Sequence, residues 1–160
     1  MVLRFLDRGI GRVVSAGRWL VLPVMILLFL QWPLRDGIKA YSRQANDLGQ
    51  WLFALMIAIA VTAATRARVH LAADAHARHY RPETRQRIAR MGAALVLVPW
   101  AILILVAGWP MVWASLAGLE AFPETGNPGY FLIKLAVLLL AGLVLLQAVV
   151  TITAQGRFRS

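Results

Sequence analysis

The sequence predicts an all-α integral membrane protein that crosses the bilayer four times. Three observations lead to this fold class. Hydrophobic residues make up 60% of the 160-residue chain and charged residues 15%, whereas an ordinary soluble domain is about 45–50% apolar and about 25% charged. The apolar residues fall into four stretches, each near the length of about 20 residues that crosses a bilayer. Basic residues cluster in alternate connections between these stretches, as they do in multi-span proteins.

The first predicted span covers residues 13–34 and contains the apolar run WLVLPVMILLFLQW. Arg18 and Trp19 are predicted to anchor it at the inner interface, because arginine extends toward the headgroups and tryptophan prefers their level. Trp32 is the corresponding anchor at the outer interface. The basic residues before this run also resemble a signal peptide, but no small-x-small cleavage site follows, which favours an uncleaved span.

The second predicted span covers residues 48–65, with Trp51 as its outer interfacial anchor. Small residues recur along it at helical spacing, namely Ala54, Ala58 and Thr62. Such residues let helices approach closely in lipid, where packing drives helix association. They are predicted to contact another helix, either of this chain or of a partner subunit.

The third predicted span covers residues 91–113 and the fourth covers residues 130–154. Trp113 is predicted to anchor the outer end of the third span. Trp100 lies deeper and is a candidate for helix packing or subunit contact. Lys134 lies one turn inside the fourth span and is predicted to be an interfacial anchor, with contact to a partner subunit or an anionic group as the alternative.

The distribution of basic residues predicts that both termini are cytoplasmic. The N-terminal segment, the central connection and the C-terminal tail carry thirteen lysines and arginines, whereas the other two connections carry three. Connections rich in positive charge stay on the cytoplasmic side of the membrane, and their charge attracts anionic lipids. We therefore expect membrane lipids, and not nucleic acid, as partners of the basic surface. The central connection, residues 66–90, is predicted to include a short amphipathic helix on that surface. Residues 1–160 are predicted to form one domain.

The predicted spans lack the groups that transport or redox chemistry requires. All seven acidic residues and all three histidines lie outside the predicted hydrocarbon region. Proton-coupled carriers need an ionisable group inside the membrane, and a membrane haem needs axial ligands there. Only Pro99 and Pro110, as possible helix breakers, leave room for a sodium site built from backbone carbonyls. The sequence predicts no enzyme activity, no metal site and no cofactor.

The segment NDLGQWLFALMIAIAVTAATRARVHLAAD carries a pattern that extends from an acidic residue through aromatic residues and alanines to a basic turn and a His-x-x-x-Asp element. This pattern resembles the small membrane (Q-type) subunit of tripartite ATP-independent periplasmic (TRAP) transporters. The matching positions are Asp47, Trp51, Phe53, Arg66, Arg68, His70 and Asp74, with Gln31 and Arg35 at the end of the first span. The segment PETGNPGYFLIKLAVLLLAGLVLLQAVV resembles the group of that family associated with mannitol and chloroaromatic compounds.

The resemblance implies a non-catalytic subunit with two protein partners. One is a large multi-span membrane subunit that moves an organic acid by an elevator motion, driven by an ion gradient. The other is a periplasmic substrate-binding protein that docks on the outer face. Complementary charge steers such encounters, so the candidate docking residues are Arg35, Lys39, Arg43, Asp47, Glu120 and Glu124. Arg66, Arg68, His70 and Asp74 are expected on the cytoplasmic surface.

Two other functions remain open at the level of the sequence. The chain could anchor a redox complex in the membrane, in which case purified material would show haem or quinone spectra. It could also be a small autonomous exporter that works as an oligomer, and it would then move solute without any other subunit. The scaffold function requires instead that the chain be inert alone.

Overall fold

The computed structural model of the chain describes residues 2–37, 42–67 and 80–153, and these residues are mostly helical. The α-helices are α1 (Val2–Gly17), α2 (Val21–Asp36), α3 (Arg43–Ala67), α4 (Pro82–Gly92), α5 (Val98–Ala117) and α6 (Tyr130–Thr153). Four helical segments in this part of the chain are long and apolar enough to cross a membrane. The predicted all-α fold with four spans is therefore confirmed.

The helical segment that contains the first predicted span begins before residue 13. A single 3₁₀ turn, Arg18–Leu20, joins α1 to α2, so the apolar helical segment runs Phe5–Leu34 instead of starting at residue 13. α1 is amphipathic, with Ile10 and Val14 buried on one face. Hydropathy averaged along the chain misses such a helix because its opposite face is charged, whereas packing of the apolar face stabilises it.

The helices that contain the second and third predicted spans also extend beyond the predicted bounds. α3 begins before residue 48 and ends after residue 65. The third span is one helical segment, Glu83–Ala117, in which α4 continues through a π turn into α5. The proline at the first position of α4 is typical of a helix start, because its missing N–H needs no partner there. Most of the predicted amphipathic segment before α4 lies outside the described residues.

Neither proline of the third span interrupts its helix. Pro99 follows the π turn, Ala93–Leu97, in which the N–H of Val98 donates to the carbonyl of Ala93. A proline ring clashes with the carbonyl four residues earlier and donates no hydrogen bond, and a local π turn is one way in which a membrane helix tolerates such a residue. Pro110 lies inside α5, which continues past it. The broken helix that a backbone sodium site would need is absent from the described part of this span.

α6 lies at the centre of the fold and packs against α5, α3 and α1. The alanines on its buried face, Ala136, Ala141 and Ala148, allow these helices to approach it closely. On α5, a Cβ at Gly108 would lie 3.3 Å from Leu138 Cδ2 of α6. Small residues on both helices therefore set the separation between α5 and α6.

A second contact region joins α1, α3 and α6. Its buried residues are Ile10, Val14, Ile59 and Leu143. Gly17 permits the close approach of α1 to α3, because a Cβ there would lie 2.4 Å from Ile59 Cγ2. α2, by contrast, packs mainly against α3 and leaves most of its apolar surface exposed.

Candidate functional site

The loop between α5 and α6, residues 118–129, is compact. At the end of α5, the N–H of Leu119 donates to the carbonyl of Leu116 and the N–H of Glu120 donates to the carbonyl of Ser115. This pair of bonds is a Schellman motif, and Leu119 occupies its left-handed position with φ 45°. The motif turns the chain back so that Glu120 faces the end of α5.

Further hydrogen bonds tie the two ends of this loop together. The N–H groups of Gly129 and Tyr130 donate to the carbonyl of Glu120, and the N–H of Phe122 donates to the carbonyl of Asn127. Phe122 is buried and contacts Tyr130 edge-on, with 5.5 Å between the ring centroids. The loop is thus a preformed surface, since its backbone bonds do not depend on a partner.

Glu120 and Lys134 form an ion pair within the chain. Lys134 Nζ donates to Glu120 Oε2 at 2.5 Å and lies 5.3 Å from the centroid of the Tyr130 ring. The Ser115 hydroxyl donates to the same carboxylate oxygen. The hydrogen bonds from Lys134 and Ser115 lower the pKa of Glu120 below its ordinary value. The candidate docking residue Glu120 and the candidate anchor Lys134 therefore bind each other.

Asp47 links α3 to the same loop. Asp47 Oδ2 accepts hydrogen bonds from Thr125 Oγ1 at 2.6 Å and from Asn127 Nδ2 at 3.2 Å. The side chain is buried, although the sequence places it among the docking residues. Next to it, Gln31 Nε2 of α2 donates to Asn46 Oδ1 of α3 at 3.4 Å. Residues from α2, α3 and the α5–α6 loop thus meet at one end of the bundle, which we call the loop side.

Of the remaining candidate docking residues, those that the structure describes lie at this loop side. Arg43 and Glu124 are exposed, so their charges are accessible to a partner. Arg35 belongs to the last turn of α2. Lys39 lies outside the described residues.

The opposite end of the bundle, which we call the termini side, contains a second ion pair. Arg66 Nη2 of α3 lies 2.8 Å from Asp7 Oδ1 of α1, and Arg66 Nη1 donates to the backbone carbonyl of Asp7 at 3.2 Å. Arg66 therefore joins two helices instead of standing free on the surface. The other residues that the sequence assigns to the same surface lie outside the described residues, namely Arg68, His70 and Asp74.

A groove of about 500 Å³ opens beside this ion pair, between α1 and α3. It is lined by Gly11, Val14, Arg18, Ala63, Ala64, Arg66 and Ala67. We call it the α1–α3 groove. The Arg18 side chain is exposed and makes no hydrogen bond or ion pair with any described residue.

The predicted anchors and packing residues divide into exposed and buried groups. Trp19, Trp32 and Trp113 are well exposed, as lipid-facing side chains are, whereas Trp51 is half-buried. Ala58 and Thr62 are buried between helices of this chain, and Ala54 is half-buried. Trp100 is 42% exposed and so remains available to lipid or a partner.

Sequence reasoning did not identify the partners of the charged residues. Four side chains bind a candidate residue although no sequence pattern marks them as functional, namely Thr125, Asn127, Ser115 and Asp7. The segment PETGNPG is rich in residues that favour turns, which indicates a turn. It gives no sign that two of its side chains bind a carboxylate on α3.

The family model described as "Tripartite ATP-independent periplasmic transporters, DctQ component" matches residues 19–157 of the chain. The matched region begins at the 3₁₀ turn and includes α2 to α6 and the loop side. No curated protein and no solved structure matches the chain.

Proposed function

Because the chain belongs to the DctQ component family of tripartite ATP-independent periplasmic transporters and is the small membrane subunit of such a transporter, we propose that it acts as a non-catalytic scaffold. In this proposal it anchors the large elevator-type subunit in the bacterial inner membrane. It also helps to dock the periplasmic substrate-binding protein during ion-gradient-driven uptake of an organic acid. The resemblance to the mannitol and chloroaromatic group favours that substrate class.

The internal pairing of the charged groups is the observation that carries the scaffold role. Asp47, Glu120 and Lys134 are engaged within the chain at the loop side, and Arg66 binds Asp7 at the other end. A coupling ion needs a carboxylate or carbonyl group that is free to bind it. The middle of each described span offers no carboxylate, so ion coupling is better assigned to the large subunit.

The exposed apolar surface supports an anchoring role. α2 exposes large side chains along its length, including Leu22, Met25 and Phe29, and α5 exposes Leu103 and Val106. In a membrane such faces contact either lipid tails or the helices of another subunit. α5 packs on α6, and α2 packs on α3, which itself packs on α6. The bundle thus holds both faces in place, as a scaffold for a moving partner requires.

The loop side is the proposed docking surface for the substrate-binding protein. Its backbone is preformed, and its exposed charged residues include Arg43 and Glu124, which have opposite sign. The distribution of basic residues supports an orientation in which this side faces the periplasm. A preformed surface loses less conformational entropy when a partner binds.

The scaffold role is tested by uptake in proteoliposomes from which one component at a time is omitted. We expect uptake when the large subunit, this chain and the binding protein are all present, and background uptake when this chain is left out. We also expect the chain alone to be inert. Solute movement by the chain alone would favour the exporter hypothesis, and haem or quinone absorbance in the purified chain would favour the redox-anchor hypothesis.

The docking role is tested separately by reversing an exposed charge. Glu124→Lys should raise the concentration of binding protein needed for half-maximal uptake by up to about fivefold, because exposed charge pairs are worth about 1 kcal/mol or less. Arg87→Gln is the matched control, since Arg87 is exposed on α4, at the other end of the bundle. Equal effects of both variants would contradict docking at the loop side.

A further inference from the structure

The α1–α3 groove combines two features that together indicate a ligand. Its floor is made of small and apolar side chains, including Gly11, Val14 and Ala64. Its walls carry two guanidinium groups, those of Arg18 and Arg66. A groove lined in this way suits an occupant that has both an apolar and an anionic part.

The charges in the groove do not cancel. The Asp7 carboxylate neutralises Arg66, with which it makes an ion pair at 2.8 Å. Arg18 has no hydrogen bond or ion pair with any described residue. One uncompensated positive charge therefore remains beside the groove, and the exposed Arg12 on α1 adds to the positive potential.

The depth of Arg18 makes an anionic partner favourable. The segment from Arg18 to Leu34, where the first apolar span ends, is about 24 Å long at about 1.5 Å per residue. With Leu34 placed at the far edge of a hydrocarbon layer about 30 Å thick, about 6 Å of that layer separates Arg18 from the nearer interface. An arginine side chain can extend over that distance, and a lipid phosphate is the anion it meets there.

From these observations we propose that the α1–α3 groove binds one anionic phospholipid from the leaflet on the termini side. The headgroup phosphate accepts hydrogen bonds from the Arg18 guanidinium, close to Arg66. An acyl chain lies along the small residues of the groove floor. This inference does not depend on the proposed function, because it concerns only the chain and the surrounding bilayer.

Charge complementarity favours a phospholipid as the occupant. Guanidinium groups bind phosphate oxygens through paired hydrogen bonds, and basic pockets at the level of the headgroups commonly hold anionic lipids. The small side chains Ala63, Ala64 and Ala67 line the groove with an apolar surface that suits a flexible hydrocarbon chain. An acidic segment of a partner protein is the competing occupant, and the experiment below separates the two.

The test is native mass spectrometry of the full-length chain released from nanodiscs of phosphatidylcholine mixed with phosphatidylglycerol. We expect the unaltered chain to retain one phosphatidylglycerol in preference to phosphatidylcholine. Arg18→Gln should lower this preference about tenfold, the factor expected when a hydrogen bond to a charged group is lost. Arg12→Gln is the matched control on the same helix, and it should lower the preference less than about fivefold, through the general surface attraction alone.

Two groove-filling variants separate a site from general charge attraction. Ala64→Leu leaves the charge unchanged but occupies the groove, so retention of phosphatidylglycerol should fall as much as in Arg18→Gln. Gly11→Leu serves as the second filling variant if Ala64→Leu does not fold, since the nearest atom to a Cβ at Gly11 is Arg66 Nη2 at 3.7 Å. The helical content of each variant is checked by circular dichroism.

Three results would overturn the proposal. The first is an unaltered chain that shows no preference for phosphatidylglycerol. The second is an equal loss in Arg12→Gln and Arg18→Gln with no loss in the filling variants, which would indicate diffuse attraction. The third is that Arg18→Gln leaves lipid retention unchanged but weakens co-purification with the large subunit, which would assign the groove to an acidic protein segment.

Discussion

The Glu120 carboxylate receives hydrogen bonds from two different helices. Ser115 lies in the last turns of α5 and Lys134 lies at the start of α6. The ion pair therefore ties these two helices together at the point where the loop between them begins and ends. The loss of either partner would leave the other charge without compensation at the membrane surface.

The lowered pKa of Glu120 determines the pH range over which the ion pair stabilises the loop. Because the pKa of this carboxyl is lower in the folded protein than its ordinary value of 4.5, the ion pair contributes stability above that value. This contribution disappears as the pH falls through the lowered pKa. We expect the protection of the Gly129 and Tyr130 amides, measured by hydrogen exchange and corrected for the intrinsic rate, to persist at pH 4.5 and to be lost only in stronger acid.

Two variants control this prediction. Glu120→Gln should have weaker protection at neutral pH and little pH dependence, because its amide cannot form the ion pair. Glu124→Gln should behave like the unaltered chain, since Glu124 is exposed on the same loop. A loss of protection that already follows the ordinary carboxyl pKa would show that Lys134 does not hold Glu120 in the folded state.

At the scale of the helices, Gly17 permits a close approach of α1 to α3. A Cβ at Gly17 would lie 2.4 Å from Ile59 Cγ2 and 3.1 Å from Ile59 Cβ. Ile59 is β-branched and stiff in a helix, so it cannot rotate away at low cost. The two helices would have to separate, and with them the walls of the α1–α3 groove.

We therefore expect Gly17→Ala to destabilise the chain by about 1–3 kcal/mol, the usual cost of overpacking. Unfolding in mixed micelles with increasing denaturing detergent measures this cost. Gly9→Ala is the matched control, because Gly9 lies on the same helix and a Cβ there would meet nothing within 4 Å. It should be neutral or stabilising by up to about 1 kcal/mol, since alanine favours helix more than glycine does.

A second substitution tests whether the cost of Gly17→Ala comes from contact with Ile59. Ile59→Ala removes the atoms that the new Cβ would meet, so part of the loss should be recovered in the double variant. The interaction energy from the double-mutant cycle isolates this contact. An additive double variant would mean that Gly17 affects stability through helix propensity alone.

At the scale of the whole molecule, three long-range contacts define the two ends of the bundle. The bonds from Thr125 and Asn127 to Asp47 place the start of α3 beside the α5–α6 loop. The Asp7–Arg66 pair places α1 beside the end of α3. These contacts agree with an even number of crossings, in which the loop side and the termini side face opposite compartments.

The proposed orientation is testable with single cysteines, because the chain has none of its own. Gln44→Cys and Glu124→Cys, both at exposed positions of the loop side, should react with an impermeant maleimide added to intact spheroplasts. Thr84→Cys, which is exposed on α4, should react only after the membrane is made permeable. The opposite labelling pattern would place the termini outside and would contradict the positive-inside assignment.

The sequence by itself determined the number and approximate positions of the spans. Helices that cross a bilayer satisfy their own backbone hydrogen bonds and need a continuous apolar surface. Both requirements concern residues that are close together in the chain, so a span can be recognised from a run of consecutive residues. The extension of the first helical segment over α1 is not evident from the sequence, because α1 is held by packing against Ile59 and Leu143 and not by its own hydropathy.

Only the tertiary structure decided what the charged residues do. Asp47 and Thr125 are 78 positions apart, and Asp7 and Arg66 are 59 apart. Whether two such residues meet depends on the rotation of each helix about its axis and on its axial position relative to its neighbours. Small residues such as Gly17 and Gly108 help to set both, because they determine where helices can approach closely. A charge at the end of a span therefore looks the same in the sequence whether it binds a neighbouring helix, as Asp47 and Glu120 do, or remains exposed, as Arg18 does.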